Sequence, residues 1–120
     1  MKNVTLVLGA SQNPDRYANR AIHSLRKNNK EVVAVGLRIG TVMDVEIVTG
    51  TPAFKNIDTV TLYLNPQRQK EYYDYIISLQ PRRVIFNPGT ENMELMKLLR
   101  QQQIETEVAC TLVLLSTNQY

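Results

Sequence analysis

Gly9-Ala10-Ser11, followed at once by Asn13-Pro14-Asp15-Arg16, is the group of residues best suited to chemistry with an anion. An apolar run, Val4-Thr5-Leu6-Val7-Leu8, leads into it, and a helical period leads out. A strand, a turn and a helix in this order aim the unpaired N–H groups of the helix N-terminus into the turn. Small residues at 9–11 let an anion approach the backbone closely. The Ser11 hydroxyl adds a donor, and the Arg16 guanidinium matches phosphate oxygens in a bidentate way. An arginine at a helix start works against the helix dipole, which is mild evidence for an anion nearby. The alternative is a tight turn whose small residues serve packing only. The pattern indicates a ligand class, a phosphate-bearing nucleotide, and no reaction.

Three further places carry chemistry. The second apolar run, Glu31-Val32-Val33-Ala34-Val35-Gly36, continues into Leu37-Arg38. NAD-binding domains put an acidic residue there to accept from ribose hydroxyls. Arg38 instead suits a phosphorylated ribose, as in NADP or the 3′-phosphate of coenzyme A, or is an arginine exposed in a loop. Asn65-Pro66 and Asn87-Pro88-Gly89-Thr90 each close a strand and open a helix. The second is either another ligand-facing turn or plain helix entry, with Thr90 or Asn92 as N-cap. One histidine, His23, and one cysteine, Cys110, cannot build a usual zinc site. His23 lies on a helix, turned off its apolar face, and no motif makes it a base. No Gly-Lys-Ser/Thr phosphate loop and no complete Gly-x-Gly-x-x-Gly occur.

The elements that hold these residues follow from periodicity. A chain of 120 residues fits one domain. Ala18, Ala21, Ile22 and Leu25 recur at helical spacing and form one apolar face. Val32 to Val35 is continuously apolar, as in a strand covered on both faces. Residues 45–48 predict a short strand and 57–64 a longer one. Residues 67–79 predict a helix with Tyr72, Ile76 and Leu79 on one face, and Pro66 suits its first turn. A strand at 84–86, a helix at 92–103 and a last strand at 105–109 follow; the tail from Cys110 is compatible with strand or short helix. The fold expected is α/β: a single Rossmann-like three-layer domain with a mostly parallel sheet of about five parallel strands. In such sheets ligands lie beyond the carboxyl ends of the strands. Tyr72, Tyr73 and Tyr75 read as a helix face plus rim, and also suit a homodimer patch.

The net charge of +3 is spread along the chain, without the Lys/Arg run of a nucleic-acid arm. The N-terminal apolar run is too short for a membrane span and lacks a signal-peptide cleavage pattern. A lone cysteine rules out an internal disulfide and favours a reducing compartment, so a cytoplasmic protein is expected.

Val7-Leu8-Gly9-Ala10-Ser11 with Asn13-Pro14-Asp15-Arg16 resembles the small stand-alone CoA-binding proteins, whose domain is similar to the CoA-binding domain of the succinyl-CoA synthetase alpha subunit. Leu62-Tyr63-Leu64-Asn65-Pro66, Phe86-Asn87-Pro88-Gly89-Thr90 and Val108-Ala109-Cys110 match later parts of the pattern, so the resemblance covers nearly the whole chain. Three positions depart from it: Gly36-Leu37-Arg38 replaces an Asn-Pro pair, Asn65-Pro66 replaces a basic residue, and Thr111 replaces a proline. Together with the turn chemistry, the resemblance implies non-catalytic binding of coenzyme A or an acyl-CoA. Gly9, Ala10, Ser11, Asn13, Pro14 and Arg16 would surround the phosphates. Gly36 and Arg38 would meet the ribose phosphate, and Asn65, Pro66, Asn87 and Gly89 the pantetheine arm. The alternatives are an NADP-binding, reductase-like domain and a degenerate Rossmann domain acting only through protein contacts.

Overall fold

The computed structural model describes residues 2–120. Seven strands form one sheet: β1 (Val4–Ala10), β2 (Glu31–Gly36), β3 (Gly40–Val42), β4 (Val45–Val48), β5 (Ile57–Leu62), β6 (Arg83–Phe86) and β7 (Glu105–Val108). Their order is β3-β4-β2-β1-β5-β6-β7. Every neighbouring pair is parallel except β3 with β4, which is an antiparallel hairpin. The sheet is therefore larger than the five parallel strands expected. β3 escapes periodicity because three residues, Gly40-Thr41-Val42, are too short to show alternation; Met43 at φ 55° makes its turn.

Helices cover both faces. α1 (Tyr17–Lys27) and α5 (Thr111–Ser116) lie on one side, where Ala18, Ile22, Leu25 and Leu115 pack on Val7 and Ala34. α3 (Tyr73–Leu79) and α4 (Met93–Gln101) lie on the other, where Ile76, Leu95 and Leu99 pack on Leu6, Leu8, Leu62 and Phe86. The continuous apolar runs of β1 and β6 follow from this double coverage. The ambiguous tail is helical. The single helix expected over 67–79 is three pieces: α2 (Pro66–Gln69), a 3-10 turn (Lys70–Tyr72) and α3. Asn65 caps the first by accepting from the Arg68 N–H at 2.9 Å, with Pro66 in its first turn. Tyr72 and Tyr75 are buried in the core, and Tyr73 bonds Asn92 and Glu94. Tyr72 and Tyr75 thus form the buried face, and Tyr73 lies half-buried at its edge.

The chain leaves β1 for β2 on one side and returns to β5 on the other. The reversal of winding opens a crevice between the carboxyl ends of β1 and β5. Among the described residues no helix is long and apolar enough to cross a membrane.

Candidate functional site

At that reversal Gly9 sits in a β-bulge at φ 99°. A Cβ there would stand 2.9 Å from the Tyr63 carbonyl carbon, so the position needs glycine for conformation and for space. The bulge brings Ala10 level with Gly36 of β2. Gly36 has ordinary φ, but its own Cβ would lie 2.4 Å from the Ala10 oxygen. The 9–11 turn is thereby drawn close against the sheet edge.

The turn itself is held from within. The Ser11 hydroxyl oxygen accepts from the Asn13 N–H at 3.1 Å, and Asn13 Oδ1 accepts from the Asp15 N–H at 2.9 Å. Ser11 keeps its O–H free to donate outward. Asn19, buried on α1, donates through Nδ2 to the Ser11 carbonyl at 3.1 Å. The sequence reading missed it; the signal was a polar residue directly after Ala18 on the apolar face. Arg16 is the N-cap of α1 and makes no side-chain cap; its carbonyl accepts from the Asn19 and Arg20 N–H groups, which leaves those of Tyr17 and Ala18, both in the cleft lining, without a backbone partner among the described residues.

The resulting cleft has a volume of about 1130 Å³. Gly9, Ala10, Ser11, Asn13 and Arg16 line its floor and one wall, and Gly36 and Arg38 the β2 end. Asn65, Asn87 and Gly89 lie on the opposite wall, while Pro14 and Pro66 are outside the lining. Arg16 and Arg38 line the cleft together with Arg68, the basic residue that stands two positions beyond Asn65-Pro66. None of these three is ion-paired among the described residues, whereas Arg26, Arg82 and Arg83 each hold a carboxylate. Asp15 and Glu71 are the acidic residues in the lining. Tyr17 and Leu37 add exposed apolar surface at the mouth.

Two buried amides fix the far wall. Asn87 donates through Nδ2 to the Thr61 hydroxyl at 2.7 Å and the Leu62 carbonyl at 2.9 Å, and its Oδ1 accepts from the Thr111 N–H at 2.9 Å. Its side chain is committed to joining β5, β6 and α5, so its part at the cleft is positional. Gln69, fully buried, donates to the carbonyls of Leu64 and Thr90, both at 2.8 Å, and accepts from Asn92 at 2.9 Å. Asn92, rather than Thr90, caps α4. Gln69 was not legible beforehand because a glutamine in a polar helical stretch looks solvated.

Tyr63, Cys110 and Leu112 complete the lining. The Tyr63 hydroxyl is closed to water and has no hydrogen-bond partner among the described residues. Burial pushes its pKa up to about 12, against the pull of the nearby Thr61 and Thr111 hydroxyls, so it remains a neutral O–H donor at physiological pH.

A doubly wound, mostly parallel sheet with a crevice at its switch point defines a Rossmann-like α/β domain. The chain belongs to the CoA-binding domain family, which it matches over residues 3–116. It is similar over its whole length to a solved structure of an uncharacterized protein, with 45% identity, 99% of that chain covered and a TM-score of 0.96. A hypothetical protein from Pyrococcus horikoshii OT3 is 25% identical, with 93% of this chain and 80% of that one covered and a TM-score of 0.80. Cell-free ID.343 from Thermus thermophilus, 22% identical with 99% and 91% covered, shares the fold at a TM-score of 0.86. No curated protein matches the chain.

Proposed function

We propose that this protein binds coenzyme A or an acyl-CoA and holds it without transforming it. The observation that carries the reading is the switch-point crevice, whose lining holds the start of α1 together with Arg16, Arg38 and Arg68, none of them ion-paired among the described residues. Pyrophosphate sits against Gly9, Ala10 and Ser11, whose hydroxyl retains a free proton. Arg16 closes over it. Arg38, at the β2 end, takes the ribose 3′-phosphate, with Leu37 and Tyr17 beside the base. The pantetheine arm runs along the β5 and β6 turns, past Asn65 and Gly89. A lone free cysteine suits a reducing compartment, and we place the protein in the cytoplasm.

Thermal-shift titration tests this. A ligand at one hundred times its Kd adds about 2.7 kcal/mol of stability, which for a chain of this size is roughly 10 °C in Tm. Coenzyme A and acetyl-CoA at millimolar concentration are expected to produce such a shift, and NAD none. A flat response to both CoA species overturns the reading in favour of a domain working through protein contacts; a shift with NADP alone turns it toward a reductase-like domain. Arg16→Ala is expected to weaken CoA binding about tenfold, the loss of one charge-assisted hydrogen bond, with Tm of the free protein unchanged.

A further inference from the structure

Gln12 lines the cleft, yet its side chain leaves the turn after β1 and reaches the β3–β4 hairpin, where Nε2 donates to the Thr41 carbonyl at 3.2 Å. It also presses on Gly40, where an added Cβ would overlap Gln12 Cδ and Oε1. Gly36 makes the same kind of room for the Ala10 carbonyl. One glycine closing β2 and one opening β3 therefore seat two residues of the turn, and Leu37-Arg38-Ile39 is the span between the seats. All three residues of that span are exposed, and Arg38 lines the cleft. The far end of the hairpin is tied to α1, since Asp44 accepts from Arg26 Nε at 2.9 Å and Nη2 at 2.7 Å.

An arginine on a short exposed loop loses conformational freedom when it meets a ligand, and the loss is smaller where the loop's ends are already fixed. Resting on the reading of the cleft as a CoA site with the ribose 3′-phosphate at Arg38, we infer that Gln12 is a positioning residue that makes the site selective for CoA over dephospho-CoA. By fastening Gly40 and Thr41 to the turn after β1, it holds the Arg38 loop in register with the pyrophosphate position. It acts through Arg38, which makes the contact.

Calorimetric titration of the intact protein with CoA and with dephospho-CoA reads this directly, because the two ligands differ only in the 3′-phosphate. The wild type is expected to prefer CoA at least about tenfold, the worth of one charge-assisted contact. Gln12→Ala is expected to cut that preference about fivefold, as if one residue of backbone freedom were restored to the loop. The loss falls on CoA, with dephospho-CoA affinity held within about twofold. Gly40→Ala releases the same fastening from the other side. Its methyl displaces only the far end of a flexible side chain, so Tm of the free protein is expected to stay within about 3 °C of the wild type while the preference falls as in Gln12→Ala. In an Arg38→Ala background, adding Gln12→Ala changes neither affinity further. Equal weakening of both ligands in Gln12→Ala overturns the inference, since damage confined to the 9–11 turn would do that. An undiminished preference in Gln12→Ala overturns it as well. A wild type that binds CoA and dephospho-CoA alike overturns it and leaves CoA binding itself standing. Failure of both ligands to bind sinks the CoA reading and this inference with it.

Discussion

Gly36→Ala is expected to lower Tm by roughly 10–15 °C, equivalent to about 3 kcal/mol for a chain of this length. The added methyl would stand 2.4 Å from the Ala10 carbonyl oxygen and 3.1 Å from Ile47 Cγ2. The first neighbour is backbone, so no rotamer change relieves the overlap. Relief requires the ends of β1 and β2 to separate where Ala10 and Gly36 are paired. That movement carries the 9–11 turn with it, so CoA affinity is expected to fall together with stability. Differential scanning calorimetry with and without ligand measures both. A variant that melts within about 3 °C of the wild type would show that the strand ends yield more easily than close-packed backbone should. The sequence offered Gly36 as a residue near a ribose; the structure gives it a first duty in packing.

Asn87→Ala is expected to cost a similar amount, about 3 kcal/mol. Three hydrogen bonds disappear, and the buried Leu62 carbonyl and Thr111 N–H lose these partners. Leaving such groups unmatched costs more than the bonds' net contribution. Chemical denaturation of the ligand-free protein is the decisive measurement: the urea midpoint should drop with the slope unchanged. A side chain serving the ligand alone would leave that midpoint in place and lower only affinity. The two results are opposite in the free protein, so the role of Asn87 is decided before any ligand is added.

The contrast between these residues and Arg16 shows what kind of information a sequence holds. Arg16 belongs to a local pattern, and its place at the head of α1 follows from its distance to Gly9 and Ser11. The α1 face of Ala18, Ala21, Ile22 and Leu25 was legible for the same reason, since all four are buried on a helix whose period they announce. Asn87 and Gln69 look like surface polar residues in one dimension. Their partners, Thr111 and Thr90, lie more than twenty positions away, and nothing local signals the approach. The unmatched Tyr63 hydroxyl is invisible in the same way, because a missing partner is a property of a packed neighbourhood.

By itself the sequence determined the strand–turn–helix at residues 4–27, the alternation of apolar runs with helical periods, and hence a mostly parallel sheet with helices on both faces. Those features depend on residues within one or two turns of chain, where backbone sterics and periodic burial act directly. Only the tertiary structure decided the antiparallel β3–β4 hairpin, the six-strand parallel run beside it, the gathering of Arg68 with Arg16 and Arg38, and the two amides that fix the far wall. The reason is sequence separation: a buried amide or an unpaired guanidinium is defined by what the folded chain brings to it, and that depends on the closure of the whole sheet.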